Sequence, residues 1–177
     1  MPNVNDDGRI HPSFIENFPG TAFPEVRFWP YDGGRSRNTL HGAMQIIQNN
    51  IFGKIAPCNT YFSSLPGHRT FDQIWSDPTF WINWEPRPSI NSFFAFTATT
   101  RPMEITVSEF CLSKGVWVTC ASIVHEMAHL DGAPGLDGSG SNAAERSLLH
   151  CGLSAHFTGA IGDPTDYNNI QSRNRYT

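Results

Sequence analysis

No stretch of this chain approaches the roughly 18 consecutive apolar residues that a membrane-spanning helix requires, so no helical span is expected. There is no excess of basic charge either. Twelve Lys and Arg stand against sixteen Asp and Glu, a formal net charge of −4, which leaves no electrostatic footprint for nucleic acid. The opening Met1-Pro2-Asn3-Val4-Asn5-Asp6-Asp7-Gly8 is polar and acidic and lacks the basic-then-apolar order of a signal peptide. No repeat and no linker divides the chain. The four cysteines, Cys58, Cys111, Cys120 and Cys151, have no zinc-knuckle spacing. Two disulfides, in any of three pairings, and free buried thiols both remain open.

What is present suits a compact globule: 177 residues, 39% hydrophobic and 12% aromatic, with thirteen Phe and five Trp. The expectation is a single domain over 1–177, with 1–35 as an irregular N-terminal wrap rich in Pro and Gly and 162–177 as a polar tail. Leu40, Ala43, Met44, Ile47 and Ile51 recur at helical spacing, which predicts a helix over 38–52 capped by Asn38 and ended by Gly53. Residues 60–65 read as a strand. Thr70 and Gln73 form a capping box for a short helix, and Asp77-Pro78 reads as the start of another through Ile82. Residues 93–97 are β-prone, and 103–108 alternate as a strand with one wet face. A helix over 142–151, stopped by Gly152, closes the reading.

The most informative segment is His125-Glu126-Met127-Ala128-His129. Two histidines four apart share one face of a helix, so both imidazoles can reach one metal ion, and Glu126 falls beside them as a base. This pattern predicts a zinc site that activates water and polarises a carbonyl. With seven His and seven Glu in the chain, random placement gives the pattern in about one such sequence in a hundred. The preceding run from Val116 to Val124 carries no charge, so the helix is expected to be buried on most sides, where an unpartnered imidazole is costly. Gly132 is positioned to cap its C-terminus.

A catalytic zinc takes three protein ligands and leaves one position open. The expected third ligand is Glu145, sixteen positions beyond His129 on the next helix, facing inward with Leu148 and Leu149. Asn142 and Glu145 also fit a capping box, a role that needs no metal. His150 is the rival. It lies about 140° around the helix from Glu145, so it is expected to be more exposed or to act as a donor behind the ligands. Asp131 and Asp137 are weaker ligands and better candidates for holding an imidazole through its far N–H. His156 and Tyr167 are candidate donors to a developing oxyanion, with packing or surface roles as the alternative.

His125-Glu126-x-x-His129 resembles the signature of the zincin metallopeptidases, and a downstream helical Glu145 resembles their glutamate-ligand branch. Ala144 and Arg146-Ser147 stand where that branch has Asn before the ligand and Ser-Asp after it. Gly132 is shared with the metzincins, but Gly135 occupies their third-ligand position, and Gly135-Leu136-Asp137 only echoes the aspartate-ligand zincins. The span from Cys120 to Gly152 is also similar to small metallopeptidase toxin domains of secreted bacterial proteins and type VI effectors.

The resemblance implies an α+β, zincin-like fold, with a small mostly antiparallel sheet over the HExxH helix and a backing helix behind it. It further implies one zinc per chain and a protein or peptide substrate, cell-wall peptide included. A cognate inhibitor or immunity protein is an implied partner, in a protein secreted or delivered to another compartment. The strand over 103–108 is expected to form the cleft rim. The competing reading is a non-catalytic or structural metal-binding module, and a third is a hydrolase acting on a non-peptide bond.

Overall fold

The computed structural model describes residues 1–5, 34–86, 95–97, 103–134 and 143–153. Asp137, Asn142, His156, Tyr167 and the expected tail from 162 lie outside the described residues, as does most of the expected N-terminal wrap. The described chain mixes helices with a four-stranded sheet. Its strands are β1 (Asn3–Val4), β2 (Trp81–Glu85), β3 (Ala95–Thr97) and β4 (Glu104–Ser108), and its helices are α1 (Arg35–Ile46), α2 (Ala56–Ser63), α3 (Phe71–Trp75), α4 (Glu109–Ser113), α5 (Val116–Leu130) and α6 (Ala143–His150). Among the described residues no helix is long and apolar enough to cross a membrane.

The sheet runs in the order β1-β2-β4-β3. β1 pairs parallel to β2 and β2 parallel to β4, while β3 alone is antiparallel. A mostly antiparallel sheet is therefore incorrect. So is an irregular segment throughout 1–35, because residues 3–4 pair with Trp81 and Ile82 and Arg35 opens α1. Alternation reports which residues share a face and is silent on strand direction. The strand over 103–108 is also not a rim: β4 sits between β2 and β3, and β3 lies at the end of the sheet order.

Nor does β4 have a wet face, since all five of its residues are buried. Ile105 and Val107 enter the apolar core, and on the alternate face Glu104 joins a short chain of buried amide hydrogen bonds. Asn5 Nδ2 donates to Asn83 Oδ1 at 2.9 Å, and Asn83 Nδ2 donates to Glu104 Oε2 at 3.3 Å. Buried polar groups persist when they are paired in this way.

α1 begins at Arg35, with Gly34 rather than Asn38 at its cap. Its last turn widens into a π-helical stretch, Ile47–Ile51, before Gly53 at φ +68°. Residues 60–65 belong to a helix and a turn, not a strand. Pro57 occupies the first turn of α2, and its buried residues Cys58 and Phe62 are four apart, a helical spacing that overrides the β-prone composition. The capping box of Thr70 and Gln73 is present. No helix follows Asp77, whose carboxylate accepts from the Thr79 amide at 2.8 Å and the Thr79 hydroxyl at 2.6 Å. That local bond turns the chain into β2 instead.

The C-terminal end of α5 is locked by the turn before α3. Gly67 N–H donates to the Asp131 carbonyl at 2.8 Å, and Arg69 Nε donates to Asp131 Oδ1 at 2.9 Å. A Cβ on Gly67 would stand 2.2 Å from Asp131 Oδ1. Asp131 is fully buried and has nowhere to retreat. We expect Gly67→Ala to lower unfolding free energy by about 1–3 kcal/mol, the scale of overpacking in a filled interior, as read from the denaturant midpoint.

Candidate metal centre

α5 carries His125, Glu126 and His129 through the core. It has Gly115 at its start, with no side-chain cap, and its first turn is uncharged. Burial on nearly all sides holds it: the run Val118 to Val124 is buried without exception, and Glu126, Met127 and Ala128 follow. Asp131 terminates it and Gly132, at φ +85°, reverses the chain.

That reversal has a direct effect on the site. It returns the carbonyl of Ala133 to His129, whose Nδ1 lies 2.9 Å away. A carbonyl only accepts, so Nδ1 carries the proton and Nε2 presents its lone pair. The far N–H of this imidazole is thus held by a backbone oxygen. Asp131, expected in that role, is engaged by Arg69 instead.

His129 Nε2 faces His125 Nε2 at 3.0 Å. Burial pushes the His125 imidazole below its ordinary pKa; the Glu126 carboxylate opposes this and His129 adds to it. The result favours the neutral ring of His125, the form that donates to a metal. Glu126 is 6% exposed, and its Oε2 accepts from the Thr97 hydroxyl on β3 at 2.7 Å. Thr97 is a site residue that the sequence reading missed.

Glu145 Oε1 stands 3.7 Å from His125, on the side of Nδ1. The carboxylate therefore lies behind His125 while Nε2 points to His129. Among the described residues no group of three or more His, Cys, Asp or Glu side chains is arranged to hold a metal ion. The donor set still fits one in its chemistry: two imidazoles meet nitrogen to nitrogen, at a spacing close to the ~3.3 Å edge of a tetrahedron with 2.0–2.1 Å bonds.

α6 presents Ala144, Ser147 and Leu148 inward. Leu149, expected inside with Glu145, is 38% exposed. Arg146 and His150 are exposed as expected. His150 stacks on Tyr61, with ring centroids 4.4 Å apart, and the Tyr61 hydroxyl donates to the Ala143 carbonyl at 2.6 Å. His150 and Tyr61 line an open groove of about 490 Å³ that includes none of His125, Glu126 or His129.

Cys58 and Cys151 are disulfide-bonded across 93 residues, whereas Cys111 and Cys120 are free and buried. The bond fastens the end of α6 to α2, and burial pushes the Cys111 thiol up to about 12. We expect the paired substitution Cys58→Ser and Cys151→Ser to cost about 2–4 kcal/mol. Hydrogen exchange should show amides 143–150 losing protection ahead of those in α5. Equal loss in both helices would mean that the bond does not govern the docking of α6.

Comparison with models of protein families, with curated proteins and with solved structures finds no match to this chain.

Proposed function

We propose that the chain is a zinc-dependent metallopeptidase of zincin type, with one zinc held by His125, His129 and Glu145 and with Glu126 as general base. The facing imidazole pair carries this reading. Two half-buried ring nitrogens 3.0 Å apart, one ring fixed in tautomer by a backbone carbonyl, belong to residues that flank a buried glutamate. A bound zinc would supply the Lewis acid that acidifies water and polarises a peptide carbonyl.

The chain's own groups account for the rest. Ala133 keeps the Nε2 lone pair of His129 forward, and burial keeps His125 neutral. Glu126 takes a proton from the attacking water and passes it to the leaving amine. An extended substrate would add along the outer edge of β3, the strand that touches Glu126, with main-chain hydrogen bonds giving affinity. The substrate class is protein or cell-wall peptide. A toxin or effector role, with a cognate inhibitor or immunity protein as partner, belongs to the same proposal. The disulfide supports delivery to an oxidising compartment.

A second reading has its own support. Because Glu145 lies behind His125, the carboxylate can orient the imidazole instead of ligating, leaving a metal-binding module without a complete catalytic centre.

Purified protein should contain about one zinc per chain by elemental analysis, lost in His125→Ala and in His129→Ala; full occupancy in both would end the metal assignment. Glu126→Gln should retain zinc and lose about 10²- to 10⁴-fold in turnover of a peptide substrate. If Glu145 ligates, Glu145→Ala should weaken zinc by more than about 100-fold, against the 10- to 100-fold of a lost orienting partner. His150→Ala should leave affinity unchanged, and competition with a chelating dye reads both variants.

A further inference from the structure

We infer that Thr97 is the positioning residue for Glu126, holding its carboxylate in a single orientation from the neighbouring strand. Thr97 pairs with Ile105 across the β3–β4 ladder, so it shares the face of the sheet that enters the core. Its hydroxyl lies 2.7 Å from Glu126 Oε2 and 3.2 Å from the Glu126 backbone carbonyl. One proton shared between those two acceptors ties both the side chain and the main chain of Glu126 to β3. Among the described residues no hydrogen bond reaches Oε1, which is left as the oxygen able to act on a water. A β-branched residue suits the task, because its χ1 is restricted and the hydroxyl cannot easily turn away.

A glutamate side chain has several rotamers, and the one Glu126 adopts is the one that meets the Thr97 hydroxyl. A charge-assisted hydrogen bond from a residue on a strand selects that rotamer before substrate arrives. The position also has a consequence for specificity. The strand that orients the base is the strand along which an extended peptide would pair, so contacts made on β3 are felt at Glu126. This consequence rests on the metallopeptidase reading, but the contact itself does not.

The test uses the full chain with Thr97→Val, which keeps shape and removes the hydroxyl, and Thr97→Ser, which keeps the hydroxyl. With ¹³C-labelled glutamate, the Glu126 carboxyl resonance is identified by its loss in Glu126→Gln. The expected result is a shifted or broadened Glu126 signal in Thr97→Val and a wild-type signal in Thr97→Ser. Zinc content should be equal in both. An unmoved signal in Thr97→Val, or an equal change in Thr97→Ser, would overturn the inference. With casein-derived quenched fluorescent peptides, Thr97→Val should lose about 10- to 100-fold in kcat with KM within about twofold, and Thr97→Ser should recover most of it. An unchanged kcat in Thr97→Val would also overturn the inference. Absence of cleavage by the wild type as well would remove protein-derived peptides from the substrate class of the metallopeptidase reading, while the resonance still decides the role of Thr97.

Discussion

Helix α5 runs through the interior, and three of its side chains are expensive to take out of water: a buried carboxylate and two half-buried imidazoles. A buried polar group without a partner costs about 1–3 kcal/mol, and a charged one costs more. Each of the three is answered by a different part of the chain. The reversal after Asp131 supplies a carbonyl to His129, β3 supplies a hydroxyl to Glu126, and α6 brings a carboxylate to His125. The edge strand, the turn and the last described helix all converge on one short run of α5. That convergence sets the run apart from a merely polar interruption in a core helix.

The parts of this arrangement that were legible in the sequence are those encoded by local spacing. The i, i+4 histidines, the capping box at Thr70 and the helical period from Leu40 to Ile51 each leave a pattern within one or two turns, and α1 and α3 follow from them. Gly132 and Gly152 end helices at positive φ as their positions suggest. Other features leave no such pattern. Thr97 lies 29 residues from Glu126, and nothing in a periodicity joins them. The Ala133 carbonyl belongs to the backbone and has no residue type to announce it. Strand direction depends on the route between strands, so the parallel pairing of β1, β2 and β4 was illegible. The polar alternation of β4 suggested water where the structure has a buried network.

Glu145 illustrates a finer limit. Its distance from the motif and its place on α6 were readable, and the structure brings it to His125. Which of the two ring nitrogens it would meet depends on the rotation of a single side chain, far below the resolution of any sequence pattern. The same few ångströms separate a ligand from an orienting partner, and metal affinity distinguishes them because the two roles differ in magnitude.

The disulfide between Cys58 and Cys151 encloses β2, β3, β4, α5 and α6 in one covalent ring. All the residues of the site belong to that ring. A single backbone nick anywhere within it would open the ring without releasing a fragment. The nicked molecule would remain a single particle under non-reducing conditions, with its imidazoles and carboxylates still joined. Under attack by a protease, this topology separates damage to the chain from loss of the residues gathered around α5.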